Sequence, residues 1–120
     1  MTSKFTELCI DCRDPSALAA FWSEVLGLPV DREDDYAFLE DPQGRSPSFV
    51  FQPVPEEKTV KNRLHMDINP VDRDQAEEVE RLEQLGATRA DVGQGDVDWV
   101  VMRDPEGNEF CVLASRVEAS

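Results

Sequence analysis

The feature that most constrains this chain is an internal repeat of long period, because a sequence that writes the same order of elements twice must build two like modules. Glu7-Leu8-Cys9-Ile10-Asp11 alternates polar and apolar residues as a half-buried strand does, and Arg63-Leu64-His65-Met66-Asp67-Ile68-Asn69 repeats the alternation. A helix follows each strand. Asp14 as N-cap and Pro15 at N1 open the first, Leu18, Phe21, Trp22 and Val25 form its apolar face, and Gly27 ends it. Asp72 as N-cap, with Gln75 three residues on, opens the second; Ala76, Val79 and Leu82 are its apolar face and Leu85-Gly86 its close.

Each half then runs through a strand into an Asp-Pro-x-Gly turn, Phe38-Leu39-Glu40-Asp41-Pro42-Gln43-Gly44 and Val101-Met102-Arg103-Asp104-Pro105-Glu106-Gly107. Proline presets the turn and glycine supplies positive φ, so each turn leads back into a last strand, Phe49–Val54 and Glu109–Ala114. Short strands at Leu28–Asp31 and Thr88–Val92 complete strand-helix-strand-strand-strand in both halves. The expected fold is α+β, two βαβββ modules.

At 120 residues, 40% hydrophobic and 32% charged, the chain suits one domain over 1–120, with module one at about 4–54 and module two at about 63–115. The connector Pro53 to Asn62 is proline-bearing and charged, which is loop composition. No apolar run approaches the roughly 18 residues of a membrane helix, and the start lacks a signal peptide's apolar stretch, so no membrane partner is expected. Three cysteines, Cys9, Cys12 and Cys111, are too sparse for a disulfide framework and fit reduced thiols in a cytoplasmic protein. A net charge of −14 repels phosphate backbones and excludes nucleic acid as a partner.

Alternation sorts the first strands into faces. Leu8, Ile10 and Cys12 oppose Glu7, Cys9 and Asp11; Leu64, Met66 and Ile68 oppose His65, Asp67 and Asn69. The apolar rows, including Leu64, are expected beneath the helices.

Asp14-Pro15 with Phe21-Trp22 and Leu26-Gly27, then Lys61-Asn62-Arg63-Leu64-His65-Met66-Asp67, then Trp99-Val100-Val101 leading into Asp104-Pro105-Glu106-Gly107-Asn108-Glu109-Phe110-Cys111-Val112-Leu113, resemble the glyoxalase/bleomycin-resistance/dioxygenase (vicinal oxygen chelate) superfamily, in its glyoxalase-like branch. The resemblance covers nearly the whole chain. It implies sheets that curl into a cup-shaped mixed sheet with helices outside, and a small-molecule ligand inside. The polar rows of the first strands would then face the ligand; the plainer reading is a solvated outer sheet face.

The resemblance also implies where a divalent metal would sit, since metal-dependent members draw His, Glu or Gln from the first and last strand of each module. Glu7 and His65 hold two such positions. The glutamate expected seven residues after the turn's Asp is replaced by Cys111, and in the first module the matching place falls near Phe51, beside Gln52. Glu7, His65 and Cys111 are therefore the candidate ligands if a metal is present, but a catalytic site needs three protein ligands and an open position, and no metal is assigned. His65, the only histidine, is open to three readings: ligand, general acid/base tuned by Asp67 or Glu7, or hydrogen-bonded structural residue.

Cys9-x-x-Cys12 sends its thiols to opposite faces of a strand, which rules against a redox pair. Lys58, Lys61 and Arg63 either hold an anionic group of the ligand or pair with Glu56 and Glu57. Trp22 belongs to the core; Trp99 is either core or an aromatic wall. The expected site thus comprises His65 and Glu7 as catalytic groups and Cys9, Asp11, Gln52, Arg63, Asp67, Trp99 and Cys111 as substrate contacts. Two functions fit: a glyoxalase-like lyase, isomerase or dioxygenase acting on a small oxygen-bearing substrate, or a non-catalytic binder that sequesters a compound, which the resemblance implies is a homodimer.

Overall fold

Two sheets of four strands, each with one helix, are built in the same order from the two halves of the chain. The computed structural model describes residues 1–119; Ser120, the last residue of the expected domain, lies outside the described residues. The chain divides into two compact units, Met1–Glu57 and Lys58 onward.

The first unit runs β1 (Glu7–Cys12), α1 (Pro15–Leu26), β2 (Val30–Glu33), β3 (Tyr36–Leu39) and β4 (Ser48–Pro53). Its strand order is β1-β4-β3-β2, with β1 parallel to β4 and the other pairs antiparallel. The second runs β5 (Asp67–Ile68), α2 (Gln75–Leu85), β6 (Thr88–Arg89), β7 (Val100–Arg103) and β8 (Glu109–Val112), and repeats the topology as β5-β8-β7-β6 with β5 parallel to β8. The βαβββ repeat and the α+β class are as the sequence predicts.

The punctuation explains why these elements start and stop. The Asp14 carboxylate accepts the Ala17 N–H at 3.1 Å, Pro15 follows, and Gly27 closes α1 in the left-handed conformation with φ 67°. Both Asp-Pro-x-Gly turns close alike: the Asp41 and Asp104 carboxylates accept backbone N–H groups at 2.9 Å from Gln43 and Glu106, and the Gly44 and Gly107 N–H groups return to the same aspartates' carbonyls at 2.9 Å. Those bonds hold the Asp41 carboxyl below its ordinary range, the Gln43 N–H leading.

Leu18, Phe21 and Trp22 of α1 are buried, with Val25 half-buried, and α1 lies across β3 and β4, where Leu39 and Phe51 are fully buried. Alternation holds on β1: Cys12 is buried and Leu8 and Ile10 half-buried, while Glu7, Cys9 and Asp11 are exposed. In the second unit all four residues of β8 are buried, so both of its faces are covered.

Four expectations change. Leu64 is 87% exposed, because β5 begins only at Asp67 and its ladder reaches back no further than the Met66 carbonyl, which accepts the Cys111 N–H at 2.9 Å. Upstream of that bond, no pleat carries the alternation. The second helix is capped by Asp74, not Asp72: Asp74 accepts the Glu77 N–H at 2.9 Å and Glu77 reaches back to the Asp74 N–H at 3.2 Å, a capping box. That start turns Ala76 to solvent and buries Glu78 with Val79 and Leu82, Glu78 being held by Arg81 at 2.8 Å. The strands expected at Leu28–Asp31 and Thr88–Val92 lie at Val30–Glu33 and Thr88–Arg89, the latter cut short where Gln94 and Asp91 side chains take the Val92 and Gly93 N–H groups.

The cap assignment has a direct check. Asp74→Ala should cost about 1 kcal/mol in a denaturant melt, whereas Asp72→Ala, which removes only a contact to Arg73, should leave the midpoint where it is. The reverse order would return the cap to Asp72.

Candidate functional site

The second module builds its site from the register of β5 and β8. Asp67 pairs directly with Cys111, so their side chains leave the sheet on one face, and Glu109 shares that face two residues back along β8. Val101 of β7 stands opposite Cys111 and extends the row. This face is the wall of a cavity of about 310 Å³, near the lower end of the roughly 300–1,000 Å³ usual for small-molecule sites. His65, Asp67, Cys111, Trp99, Lys61, Glu109 and Gln94 supply its polar and aromatic lining, and Val92, Val101 and Leu113 its apolar part.

Three potential ligand atoms meet on that wall. His65 Nδ1 is 3.3 Å from Asp67 Oδ1, Cys111 Sγ is 3.9 Å from the same nitrogen, and all three atoms lie within 4.8 Å of one another. Ligand atoms held at about 2.0–2.3 Å by a tetrahedral zinc stand about 3.3–3.8 Å apart, so the spacing suits such an ion, and imidazole, carboxylate and thiolate together suit zinc, cobalt or nickel better than magnesium or calcium. His65 and Asp67 are exposed and Cys111 is buried. Burial pushes the Cys111 thiol above its ordinary value, and Asp67 adds to this through its charge and as hydrogen-bond acceptor, while Lys61 opposes it. Near neutrality the sulfur therefore carries a proton that a metal would have to displace.

Glu109 is the group that the sequence reading did not single out. Its carboxylate, 5% exposed, takes Lys58 Nζ at 2.9 Å, the backbone N–H of Asn62 at 2.9 Å and Arg103 Nε at 3.3 Å. Burial alone would raise its pKa, but the hydrogen bonds from Asn62 and Lys58 win and bring it down to about 2. This clasp fastens the 58–62 segment, and with it Lys61, to the pocket-facing row of β8. Arg103 stands opposite Glu109 across the hairpin, but nothing local could have announced the Asn62 and Lys58 contacts, which lie 47 and 51 residues away.

The other expected residues are distributed as follows. Trp99, 39% exposed, is a pocket wall and not core. Lys58 pairs with Glu109, not with Glu56 or Glu57, and Arg63 is exposed and absent from the lining. Glu7, Cys9 and Gln52 line a pocket of the first module together with Glu33, Asp34 and Tyr36. Gln52 falls on the row of Glu7, Cys9 and Asp11, and its amide donates to Asp11 Oδ1 at 2.6 Å. Cys9 is exposed and Cys12 buried, so the two thiols do face opposite ways; burial, then Asp11 and Glu7, raise the Cys9 thiol.

A sequence model described as a glyoxalase-like domain matches residues 7–113. The chain is a member of the glyoxalase-like domain family. Solved structures agree in fold with this glyoxalase-like protein. A glyoxalase/bleomycin resistance protein/dioxygenase family enzyme from Burkholderia phytofirmans PsJN is 20% identical, covers 92% of this chain and 97% of its own, and superposes with a TM-score of 0.64. The fosfomycin resistance protein FosX from Mesorhizobium loti is 13% identical, with 96% and 94% covered and a TM-score of 0.71. A FosX variant from Listeria monocytogenes, complexed with Mn(II) and a dihydroxypropylphosphonic acid, is 12% identical, with 96% and 91% covered and a TM-score of 0.67. None of the curated proteins compared is similar enough in sequence to count as a match. Among the described residues, no helix of this glyoxalase-like chain is long and apolar enough to cross a membrane.

Proposed function

We propose that this chain is a small-molecule enzyme of the glyoxalase-like kind, a lyase, isomerase or dioxygenase, acting on an oxygen-bearing substrate in the second module's pocket. The observation that carries this is the approach of Asp67 to Nδ1 of His65 on a wall shared with Cys111 and Trp99. A carboxylate at Nδ1 favours the tautomer with the proton there, which leaves Nε2 as the acceptor for a substrate proton. Asp67 then orients the ring. Chemistry is assigned here to His65.

His65, Asp67 and Cys111 would be the ligands of a divalent ion, which when bound would polarise a substrate oxygen. Nδ1 cannot both carry a proton and ligate an ion, so metal-free and metal-loaded protein are alternative states of one group of atoms. Proteins similar in fold include fosfomycin resistance proteins and an oxidase, which supports small-molecule chemistry as a class. A homodimeric, cytoplasmic protein belongs to the same reading.

The second reading is a non-catalytic binder, and the protonated thiol of Cys111, where metal-dependent relatives are expected to carry a glutamate, favours it. One experiment separates the two. Chelator-treated protein is titrated with Co(II) while thiolate-to-cobalt absorption and melting temperature are followed, and a panel of small keto, hydroxy and epoxy acids is then incubated with metal-free and metal-loaded protein and read by mass spectrometry. Conversion of a panel member, lost in His65→Ala, is the expected result. Saturable binding with no conversion in either state would establish the binder instead.

A further inference from the structure

The pocket of the second module contains a cation that no carboxylate among the described residues pairs, and this bears on what it holds. Lys58 and Arg103 face a single carboxylate, Glu109, at 2.9 and 3.3 Å, which leaves one positive charge in excess at the rim. Lys61 lines the pocket, and its ammonium meets only the Asn62 carbonyl, at 3.2 Å, with no carboxylate partner among the described residues. The lining itself holds Lys61 with Asp67 and Glu109, and because Glu109 is already paired with Lys58 and Arg103, the positive charge of Lys61 is left for a ligand. A concave, partly apolar surface concentrates such a field.

The lining also limits the size and shape of the charge. Lys61 is a single point charge and no arginine lines the cavity among the described residues, so one anionic group is matched there. Trp99 is partly exposed on the wall and offers an indole face beside Val101 and Leu113. A planar conjugated body fits there with its charged end toward Lys61.

We propose that this pocket selects small aromatic or conjugated carboxylates, Lys61 holding the carboxylate and Trp99 the ring. The proposal rests on the assignment of ligand binding to this pocket and adds its chemical class. Glu109 acts as a positioning residue, because its clasp on Lys58 and Asn62 sets where Lys61 stands.

The test uses the full chain labelled with nitrogen-15, whose two tryptophans give two indole N–H signals. Trp22, 1% exposed, is the internal control for Trp99. Sodium benzoate should shift the Trp99 signal saturably and leave Trp22 in place, while benzamide, benzylamine and inorganic phosphate at the same concentration shift neither. Lys61→Met should weaken benzoate about five- to tenfold and Lys61→Arg should restore most of the loss. Equal shifts from benzoate and benzamide, or unchanged benzoate affinity in Lys61→Met, overturn the anion selection and leave the pocket assignment standing. If no compound moves Trp99, both fall together.

Discussion

Glu109→Gln should lose about 3 kcal/mol of folding stability near neutral pH, a loss that shrinks as the solution is made acidic. The glutamine keeps the shape and can still accept the Asn62 N–H, but it leaves Lys58 and Arg103 facing a neutral group in a site where the native carboxylate is 5% exposed. The size follows from linkage. In the folded chain the carboxyl titrates at about 2, against an ordinary value of 4.5. Between those values the unfolded chain binds the proton and the folded chain does not, so stability rises with pH across that window. The contribution is therefore complete above about pH 5 and fades as pH falls through about 2, amounting to about 3 kcal/mol when integrated. Urea melts of parent and variant at pH 7, 4 and 2.5 measure the gap between them, which should narrow in that order. A gap that is small at pH 7, or independent of pH, would mean that the clasp is solvent-screened and does not hold the 58–62 segment. Hydrogen exchange at the Asn62 amide gives a local reading of the same bond and should quicken in the variant.

Glu109 also shows where the sequence stops being informative. Its partners are drawn from the connector and from the neighbouring strand β7, and no periodic pattern encodes an ion pair closed over 51 residues. What was legible was local. The Asp14-Pro15 start, the two Asp-Pro-x-Gly turns and the alternation of β1 each rest on backbone geometry that a few adjacent residues determine, and each appears in the structure. Asp72 and Asp74 illustrate the boundary. Asp72 with Gln75 reads as the cap, but Asp74 also has an acid three residues on, Glu77, and it is this pair that closes the capping box. Leu64 fails for the reason that alternation has meaning only inside a ladder, and its segment forms none.

The site divides in the same way. Parity places Asp67 on the polar face and the resemblance offers Cys111 as a ligand, and the parallel pairing of β5 with β8 sets the two directly opposite each other. Asp67 then stands where His65 and Cys111 can share a ligand with it, a role that spacing alone did not suggest. Lys58 and Arg63 lay in the same basic cluster as Lys61, yet one is bound to Glu109 and the other is exposed. Charge in a sequence marks a group's presence; only the fold decides whether its partner is the protein or the ligand.

His65→Ala should abolish turnover while leaving the fold almost untouched, and the combination is what distinguishes a chemical group from a structural one. The side chain is 41% exposed and its carboxylate partner 49%, so both can be solvated once separated and the change should cost about 0.5 kcal/mol or less. A buried histidine with a committed partner would instead leave that partner unsatisfied, at about 1–3 kcal/mol. Loss of a positioned general acid/base lowers rate by about 10²–10⁴, and loss of one ligand of three removes most affinity for a divalent ion. Denaturant melts of parent and variant, run with the Co(II) titration and the conversion panel, read all of these on the same two proteins. Asp67→Asn is the companion: it keeps the volume but removes the charge that favours the proton on Nδ1, so conversion should fall while benzoate still shifts Trp99. If His65→Ala converts substrate as the parent does, or if it unfolds the domain, His65 is part of the scaffold and the chemistry lies elsewhere.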